Sequence, residues 1–437
     1  MIINIKETGA REGEFLCTEA IQKAIDLCNE TGGGTVEVPE GVFLTGSVML
    51  KSNVTLHLLE NACIKGTRNP EDYNLLHGCK KEVHWESVAV RKSIEFLTNP
   101  QSRWNCGLIK AVNAENVSII GEKNSVIDGS DCFDEMGEEN YRGPHGINMY
   151  YCKNLTFKGY TARNTGNWAH AIFNSRNITI ENVVCEAGHD GVHLTTCDDV
   201  LIKNCEFYTG DDCVAGIDNI NLKVLDCVLN SACSAFRLGG THILIENCKM
   251  YGPCKHLFRG SLSVEEKRNG AVAQKQPGHR YNMLSTYTYY SDFTREIREQ
   301  PGDIVIRNCE IENADRFLHY NFSGNEPWQK NRPLESITFE NITATGIRMQ
   351  INAYGGEDAP FCLTFKNCDI SFAEDVSFMH ICNHKKVIIE KVKVKGLKNA
   401  PFIKKWSDDG EIVFNDLVTD GNKDIVIATE PFFTKAI

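Results

Sequence analysis

Short segments that alternate apolar and polar residues recur along the middle of this chain at a nearly constant interval. Five of them open on a polar residue, at positions 154, 177, 199, 221 and 242, so the spacing is 21 to 23 residues. The first and third residues after each opening are apolar, as in Leu155 and Phe157. Alternation with period two predicts a strand with one buried face, and its repetition at a long fixed interval is typical of a stacked solenoid. The pattern therefore predicts an all-β fold, a single-stranded right-handed parallel β-helix.

The repeat also predicts one domain over residues 1–437, because a solenoid adds coils to one core and no Pro/Gly/Ser-rich linker divides the chain. Residues 18–28 have a helical apolar pattern that Gly32 to Gly34 would end, which predicts a short capping helix within a cap of about 60 residues. The repeat lapses between His242 and Asp303. We expect its irregular part, residues 251–302, to be a loop excursion that forms a lid or wall, with surface decoration as the alternative.

Two recurring columns are predicted to be structural. One lies five residues after each opening, where an inward amide would hydrogen-bond its equivalents in neighbouring coils; its members are Asn182, Asn204, Asp226, Asn247, Asn308, Asn341 and Asn367. The other lies one position later, where a small thiol would fill the interior; its members are Cys205, Cys227, Cys248, Cys309 and Cys368.

Composition limits the cellular setting and the partners. Nineteen cysteines, an odd number, favour reduced thiols in a cytoplasmic protein over a disulfide framework. We expect neither export nor membrane insertion, because the first residues lack a basic start before a long apolar core and no apolar stretch approaches a membrane span. A net charge of −12 argues against a broad contact with nucleic acid or an anionic membrane. The oligomeric state stays open.

Two acidic motifs lie one repeat apart: His189-Asp190-Gly191 and Gly210-Asp211-Asp212-Cys213. Asp190 and Asp212 have the same offset from their opening residues, so they are expected to lie about 4.8 Å apart in adjacent coils, with Asp211 beside them. Their repulsion would raise the pKa of at least one carboxyl. A protonated acid beside ionised carboxylates suits general acid/base cleavage of a glycosidic bond. For either motif alone, a tight turn that favours Asp is the alternative.

The chain resembles the polygalacturonase-like glycoside hydrolases of family 28, which act on pectin. The resemblance is carried by Gly210-Asp211-Asp212-Cys213, which matches outright, by Asp190-Gly191, by Asn167-Trp168-Ala169-His170 and by the N-terminal stretches at 18–26, 32–41 and 50–57. It implies an inverting hydrolase with Asp211 as general acid, whereas Asp190 and Asp212 hold and deprotonate the attacking water. No cofactor or metal ion is expected, and the expected partner is an oligosaccharide.

Departures from the family pattern indicate an altered sugar pocket. The family's Gly-His-Gly motif should fall where the chain reads Cys233-Ser234-Ala235, and its Arg-Ile-Lys element has no clean copy. The residues that we expect to bind substrate are Arg237 and Arg259, as partners of an acidic sugar, Trp168, as a stacking platform, and His189, beside the acids. His193 replaces an acid of the family pattern. For the arginines a surface ion pair, and for the histidines and Trp168 a packing role, remain alternatives.

Three functions of different class are compatible with these residues. The first is a glycoside hydrolase of pectin-type oligosaccharides, for which a large loop over one end of the groove would favour cleavage at chain ends. The second is a β-helix lyase or related carbohydrate-transforming enzyme that uses calcium and a basic residue. The third is a non-catalytic carbohydrate-binding β-helix, which the missing family histidine motivates.

Overall fold

The computed structural model describes residues 1–73, 103–137, 142–269, 279–289, 298–324 and 331–428. The chain winds into a right-handed parallel β-helix, as the repeat predicts, because each strand pairs in parallel with its equivalent one coil away. The strands form three long sheets around one apolar interior. Inward positions carry mainly Ile, Val, Leu, Phe and Cys, so the period-two pattern and the long repeat together produce one continuous core.

The first sheet, here called the site sheet, consists of one strand from each coil along one side of the helix. Its strands are β4 (Val48–Met49), β7 (Gly107–Val112), β10 (His145–Tyr150), β13 (His170–Phe173), β16 (Val192–Thr195), β23 (Met283–Tyr289), β25 (Ala314–Asn321), β27 (Ile351–Tyr354), β30 (Met379–Cys382), β32 (Ile403–Lys405) and β34 (Ile425–Ile427), with the first parts of β19 (Val214–Leu225) and β21 (Ser234–Glu246).

The other two sheets cover the remaining sides of the coil. The second contains β1 (Ile2–Asn4), β2 (Gly34–Val38), β5 (Val54–Leu58), β8 (Glu115–Gly121), β11 (Lys153–Lys158), β14 (Arg176–Glu181), β17 (Asp198–Lys203) and β28 (Phe361–Lys366). The third contains β3 (Gly41–Thr45), β6 (Ala62–Gly66), β9 (Val126–Asp128), β12 (Thr161–Arg163), β15 (Val184–Ala187), β18 (Glu206–Thr209), β20 (Val228–Ser231), β22 (Lys249–Tyr251) and β29 (Asp369–Phe372). Long strands bend between these two sheets, namely β24 (Gly302–Glu312), β26 (Ser336–Ile347), β31 (His384–Lys395) and β33 (Glu411–Thr419).

A helix packs against the first coils, as predicted. Helix α1 (Thr18–Glu30) buries Ile21, Ala24 and Ile25. Its N-cap is Cys17, and the Thr18 hydroxyl instead accepts a hydrogen bond from the Gly46 amide at 2.8 Å. The apolar face of α1 thus keeps water from the open end of the solenoid. Among the described residues no helix is long and apolar enough to cross a membrane.

The interval at 251–302 is not one loop, because it contains strand β23 of the site sheet. Before β23 lie a 3-10 helix at Arg259–Ser261 and helix α2 (Val264–Asn269). The sequence repeat lapses here because residues 252–282, which include both of these helices, intervene between β22 and β23. Residues 270–278 and 290–297 of the excursion lie outside the described part of the chain.

The cysteine column fills the interior as predicted, whereas the amide column does not point inward. Each of the five column cysteines is buried and within 3.1 to 3.4 Å of the backbone carbonyl two residues before it. Asn204 and the other column amides are exposed and adopt a left-handed backbone, with φ of 52° at Asn204. Asn is favoured there because it tolerates that conformation, so the inward orientation was wrong. The predicted hydrogen bonds between neighbouring coils are present in part of the column, from Asn247 to Asp226 at 3.1 Å, from Asn341 to Asn308 at 2.9 Å and from Asn367 to Asn341 at 2.6 Å.

Candidate active site

The three acids lie in turns that lead into neighbouring strands of the site sheet. Asp190 precedes β16, and Asp211 and Asp212 precede β19. The Gly191 amide donates to the Asp212 carbonyl at 3.0 Å, and the Cys213 amide donates to the Ser234 carbonyl at 3.0 Å. The main-chain ladder therefore continues through these turns and fixes Asp190 beside Asp212, in the relation that their shared offset predicts.

A glycine is required in the second acidic motif because another segment approaches the turn closely. A Cβ atom at Gly210 would lie 1.9 Å from the Leu257 carbonyl oxygen. Any side chain at Gly210 would therefore displace either the acid-bearing turn or the segment that covers it.

Each acid has a basic partner close to its carboxylate. Asp190 Oδ2 lies 2.8 Å from His193 Nδ1. Asp211 Oδ2 lies 3.7 Å from Arg142 Nη2, and Asp212 Oδ2 lies 3.7 Å from Arg237 Nη1. All three acids are more than nine-tenths buried, so these contacts offset part of the cost of holding three carboxyls together away from water.

Asp212 is the acid of the cluster whose pKa is raised. Burial and the adjacent Asp211 raise the pKa of Asp212 to about 8, although Arg237 and the Ser234 amide oppose the shift. The Ser234 amide donates to Asp212 Oδ1 at 3.0 Å. The arrangement thus has a carboxylic acid that can donate a proton beside carboxylates that can accept one, as general acid/base catalysis requires.

Comparison with known proteins shows which family the acid-bearing stretch is similar to. The sequence profile of glycosyl hydrolases family 28 matches residues 28–234, a stretch that includes all three acids. Over these residues the chain resembles family 28.

Relatives and solved structures have modest identity to the chain. A probable polygalacturonase of Vitis vinifera is 27% identical over 220 residues, which are 47% of this chain and 42% of that protein. An exo-poly-alpha-D-galacturonosidase of Dickeya chrysanthemi is 27% identical over 252 residues, which are 49% of this chain and 41% of that protein. The chain thus spans about two fifths of the length of these relatives. The crystal structure of an exopolygalacturonase from Thermotoga maritima has a TM-score of 0.61 at 20% identity, covering 96% of this chain and 91% of that chain, which is a likeness of fold.

Trp168 is buried next to the acid cluster and not on an open surface. Its ring is 7% exposed and stacks on the His193 ring, with centroids 3.7 Å apart and an interplanar angle of 3°. Trp104 packs against its edge, with centroids 5.2 Å apart. In the structure Trp168 therefore supports the histidine that contacts Asp190, and its predicted contact with sugar stays a prediction.

His189 and Arg259 are buried on the side of the cluster that the excursion covers. Burial and nearby Arg142 lower the pKa of His189, so its ring is neutral, and its Nδ1 has no hydrogen-bond partner among the described residues. The Arg259 guanidinium forms a buried ion pair with Asp131, and its amide donates to the Gly188 carbonyl at 3.0 Å. Arg237 is the more open of the two arginines, with 35% of its side chain exposed. Substrate roles for these residues remain untested predictions.

Sequence reasoning missed Arg142 and Arg280, which reach the cluster from distant segments. Arg142 also donates to Asn167 Oδ1 at 3.2 Å and lies over the Trp104 ring. Arg280 donates to Cys233 Sγ at 3.2 Å and stacks on Phe258. Their sequence neighbourhoods contain no motif that indicates a role. Cys233 was visible only as part of a departure, because Cys233-Ser234-Ala235 stands where the resemblance predicts Gly-His-Gly.

Among the residues that the structure describes, Asp211, Asp212 and Cys233 could hold a metal ion, because their ligand atoms lie within 4.8 Å of one another. The donor set fits calcium poorly, since calcium takes 6–8 oxygen ligands. Arg237 and Arg280 already place positive charge beside Asp212 and Cys233. The residues at this site therefore fit a metal-independent acid/base centre better than a calcium site.

Proposed function

We propose that this protein is a glycoside hydrolase that removes terminal residues from acidic, pectin-type oligosaccharides with inversion of configuration. The observation that carries the proposal is the cluster of Asp190, Asp211 and Asp212 in adjacent turns, with the pKa of Asp212 raised to about 8. Asp211 donates the proton of the Asp211–Asp212 pair to the leaving oxygen. Asp190 and Asp212 hold the water and accept its proton.

Cleavage at chain ends is supported by the closed N-terminal side of the site sheet. A buried aromatic cluster covers the outer face of the site sheet in the coils on the N-terminal side of the acids. It consists of Trp104, Tyr150, Trp168 and Phe173. A sugar chain could extend from the acids toward the N-terminal coils only by displacing this aromatic cluster. The substrate therefore extends from the acids toward the C-terminal coils.

The segment Pro253 to Asn269 closes the same region from the side. It runs from its own coil back to turns nearer the N-terminus, where Arg259 pairs with Asp131 and Arg268 contacts Glu135 at 2.8 Å. The Arg68 guanidinium donates to the Arg268 carbonyl at 2.8 Å. These contacts hold the segment against the acid-bearing turns and support its predicted role as a wall.

The test is to incubate the protein and its Asp211→Asn variant with galacturonate oligosaccharides of defined length and to weigh the products by mass spectrometry. We expect a monosaccharide and a chain shortened by one unit, heavier in total by one water, with wild type alone. Internal fragments in early samples would contradict cleavage at ends, and unsaturated products without added water would indicate a lyase.

A non-catalytic carbohydrate-binding role is the second candidate, because the histidine that the resemblance predicts is missing from Cys233-Ser234-Ala235, beside Asp211 and Asp212. It predicts that an oligosaccharide binds without any turnover. In that case Asp211→Asn would bind the same ligand with unchanged affinity, and product analysis would show intact substrate with both proteins.

We also propose that the protein works in a reducing compartment, the cytoplasm. All 18 described cysteines are free and 16 of them are buried in a stacked interior that needs no cross-link. Immunodetection in fractionated cells of the source organism is the direct measurement, and recovery with the exported fraction would contradict the proposal.

A further inference from the structure

Arg316 stands in the same column of the site sheet as Asp190 and Asp212. The register pairs Val192 with Val214 and Val214 with Phe236, so the residues two positions earlier, Asp190, Asp212 and Ser234, form one column. Ser234 pairs with Ser285, and Ser285 pairs with Arg316. Arg316 is therefore three coils beyond Asp212, or about 14 Å at the usual strand spacing.

Among the described residues, no acid forms an ion pair with Arg316. Its side chain is half-buried, and its Nε atom has no hydrogen-bond partner in the described part of the chain. Asp315, the neighbouring acid, is engaged by Arg348 at 2.9 Å. Burial lowers the pKa of Arg316. A guanidinium that is partly removed from water without a partner is costly, and an anionic ligand would remove that cost.

The outer face around Arg316 has the composition of a sugar-binding surface. The register aligns one row of side chains along it, namely Arg237, Thr288, His319, Asn352, His380 and Lys404. None of these six carries a carboxylate, although the chain has a net charge of −12. The row thus offers hydrogen-bond donors and positive charge to an acidic ligand.

Two half-buried aromatic rings border this row. Tyr354 and Trp406 meet edge to face with centroids 6.0 Å apart, and Trp406 also packs against His380 at 4.8 Å. The Tyr354 hydroxyl donates to Asn352 Oδ1 at 3.0 Å. Rings held in this way present an apolar face beside polar groups, a combination that suits the two sides of a sugar ring.

We propose that Arg316 binds the carboxylate of a uronic acid unit that lies beyond the cleaved bond on the C-terminal side, with Tyr354 and its contacts Asn352 and Trp406 on the coils that follow. The planar fork of the guanidinium matches a carboxylate with two parallel hydrogen bonds. The direction and the acidic substrate rest on the proposed function. The site gives the enzyme a preference for oligosaccharides long enough to span three coils.

The variant Arg316→Gln tests this site because it removes the charge and keeps polarity and most of the length. We expect it to lower kcat/KM for a galacturonate pentasaccharide about tenfold or more, mainly through KM, as loss of a charged hydrogen bond predicts. Its kcat/KM for the disaccharide should be unchanged, because that ligand is too short to reach Arg316. Equal losses for both lengths, or no loss for either, would overturn the proposal.

The control is Arg307→Gln, which removes an arginine from the same coil region on the second sheet, where it contacts Glu246 at 2.7 Å. It should leave both substrates unaffected. Thermal unfolding of each variant reports whether folding is intact, and Arg316→Lys, which keeps the charge, should recover part of the pentasaccharide activity.

Direct binding separates failure of this inference from failure of the proposed function. Calorimetry with pentagalacturonate on Asp211→Asn protein requires no turnover, so weaker binding after the further change Arg316→Gln supports the site even if hydrolysis is never seen. A neutral galactose pentasaccharide should bind both proteins equally weakly. Equal affinity of the two proteins for pentagalacturonate would reject the site while leaving hydrolysis to its own test.

Discussion

Burial of Asp212 beside Asp211 couples catalysis to stability at the scale of a single residue. Because its pKa rises from an ordinary 3.8 to about 8 in the folded protein, its contribution to stability is complete at low pH and is lost as the pH rises through about 8. Asp212→Asn should therefore abolish turnover and raise the free energy of unfolding by roughly 1–3 kcal/mol, most of all above pH 8.

Denaturant unfolding at pH 5 and pH 9 measures this difference. The control is Asp408→Asn, since Asp408 is largely exposed. A stability gain that is equal at the two pH values would contradict the assignment of the retained proton to the acid pair. For the same reason kcat/KM of wild type should fall as the pH rises through about 8.

His193 is a positioning residue for Asp190, because it bonds that carboxylate at 2.8 Å and is itself held by Trp168. We expect His193→Ala to lower kcat about tenfold to a hundredfold with little change in KM, because the carboxylate loses its orientation while the sugar-binding groups stay in place.

His193→Asn, which can still donate to Asp190, should recover part of the lost kcat. The matched control is His242→Asn, because His242 contacts Asp303 at 2.7 Å on an exposed edge far along the coil. A rise in KM with constant kcat would place His193 among the residues that bind sugar and not those that orient the acid.

At the scale of the element, the exposed amide column is explained by backbone conformation. Asn204 has φ of 52°, so Asn204→Ala should cost roughly 1 kcal/mol, whereas Asn204→Gly should be nearly neutral. Thermal unfolding distinguishes the two. If glycine were as costly as alanine, a side-chain hydrogen bond and not the backbone would determine the residue.

The wall segment depends on the ion pair between Arg259 and Asp131. Arg259→Met should lower stability by about 3–5 kcal/mol because it leaves a buried carboxylate without a partner. The double change Arg259→Met and Asp131→Leu should restore most of that stability. If the double variant folds stably but is inactive, we infer that Arg259 also contacts substrate, as the sequence analysis predicts.

Local patterns could predict the elements but not the contacts between distant ones. Alternating residues and a fixed interval predicted the strands and the pairing of Asp190 with Asp212, because register follows from repeat length. Arg142 and Arg280 reach the cluster from turns outside that repeat, and β23 was hidden by the long insertion that precedes it. The direction of Asn204 was missed because alternation does not report a left-handed residue at a bend.

At the scale of the whole molecule, the stacked interior shields nearly all thiols. Of the 18 described cysteines only Cys233 and Cys362 are partly accessible. Titration with a thiol reagent should therefore detect about two or three thiols in the native protein and all 19 after unfolding. Rapid modification of many more native thiols would show that the coils open readily.

The column that joins Asp212 to Arg316 has a consequence for how substrate preference changes over evolution. Each coil adds about one strand spacing to the length of the solenoid. Inserting or deleting a coil between Ser234 and Arg316 would therefore change the distance between the acids and Arg316 by that fixed step, without disturbing either of them. Related enzymes built in this way would differ in preferred oligosaccharide length by discrete increments, while their acids remained the same.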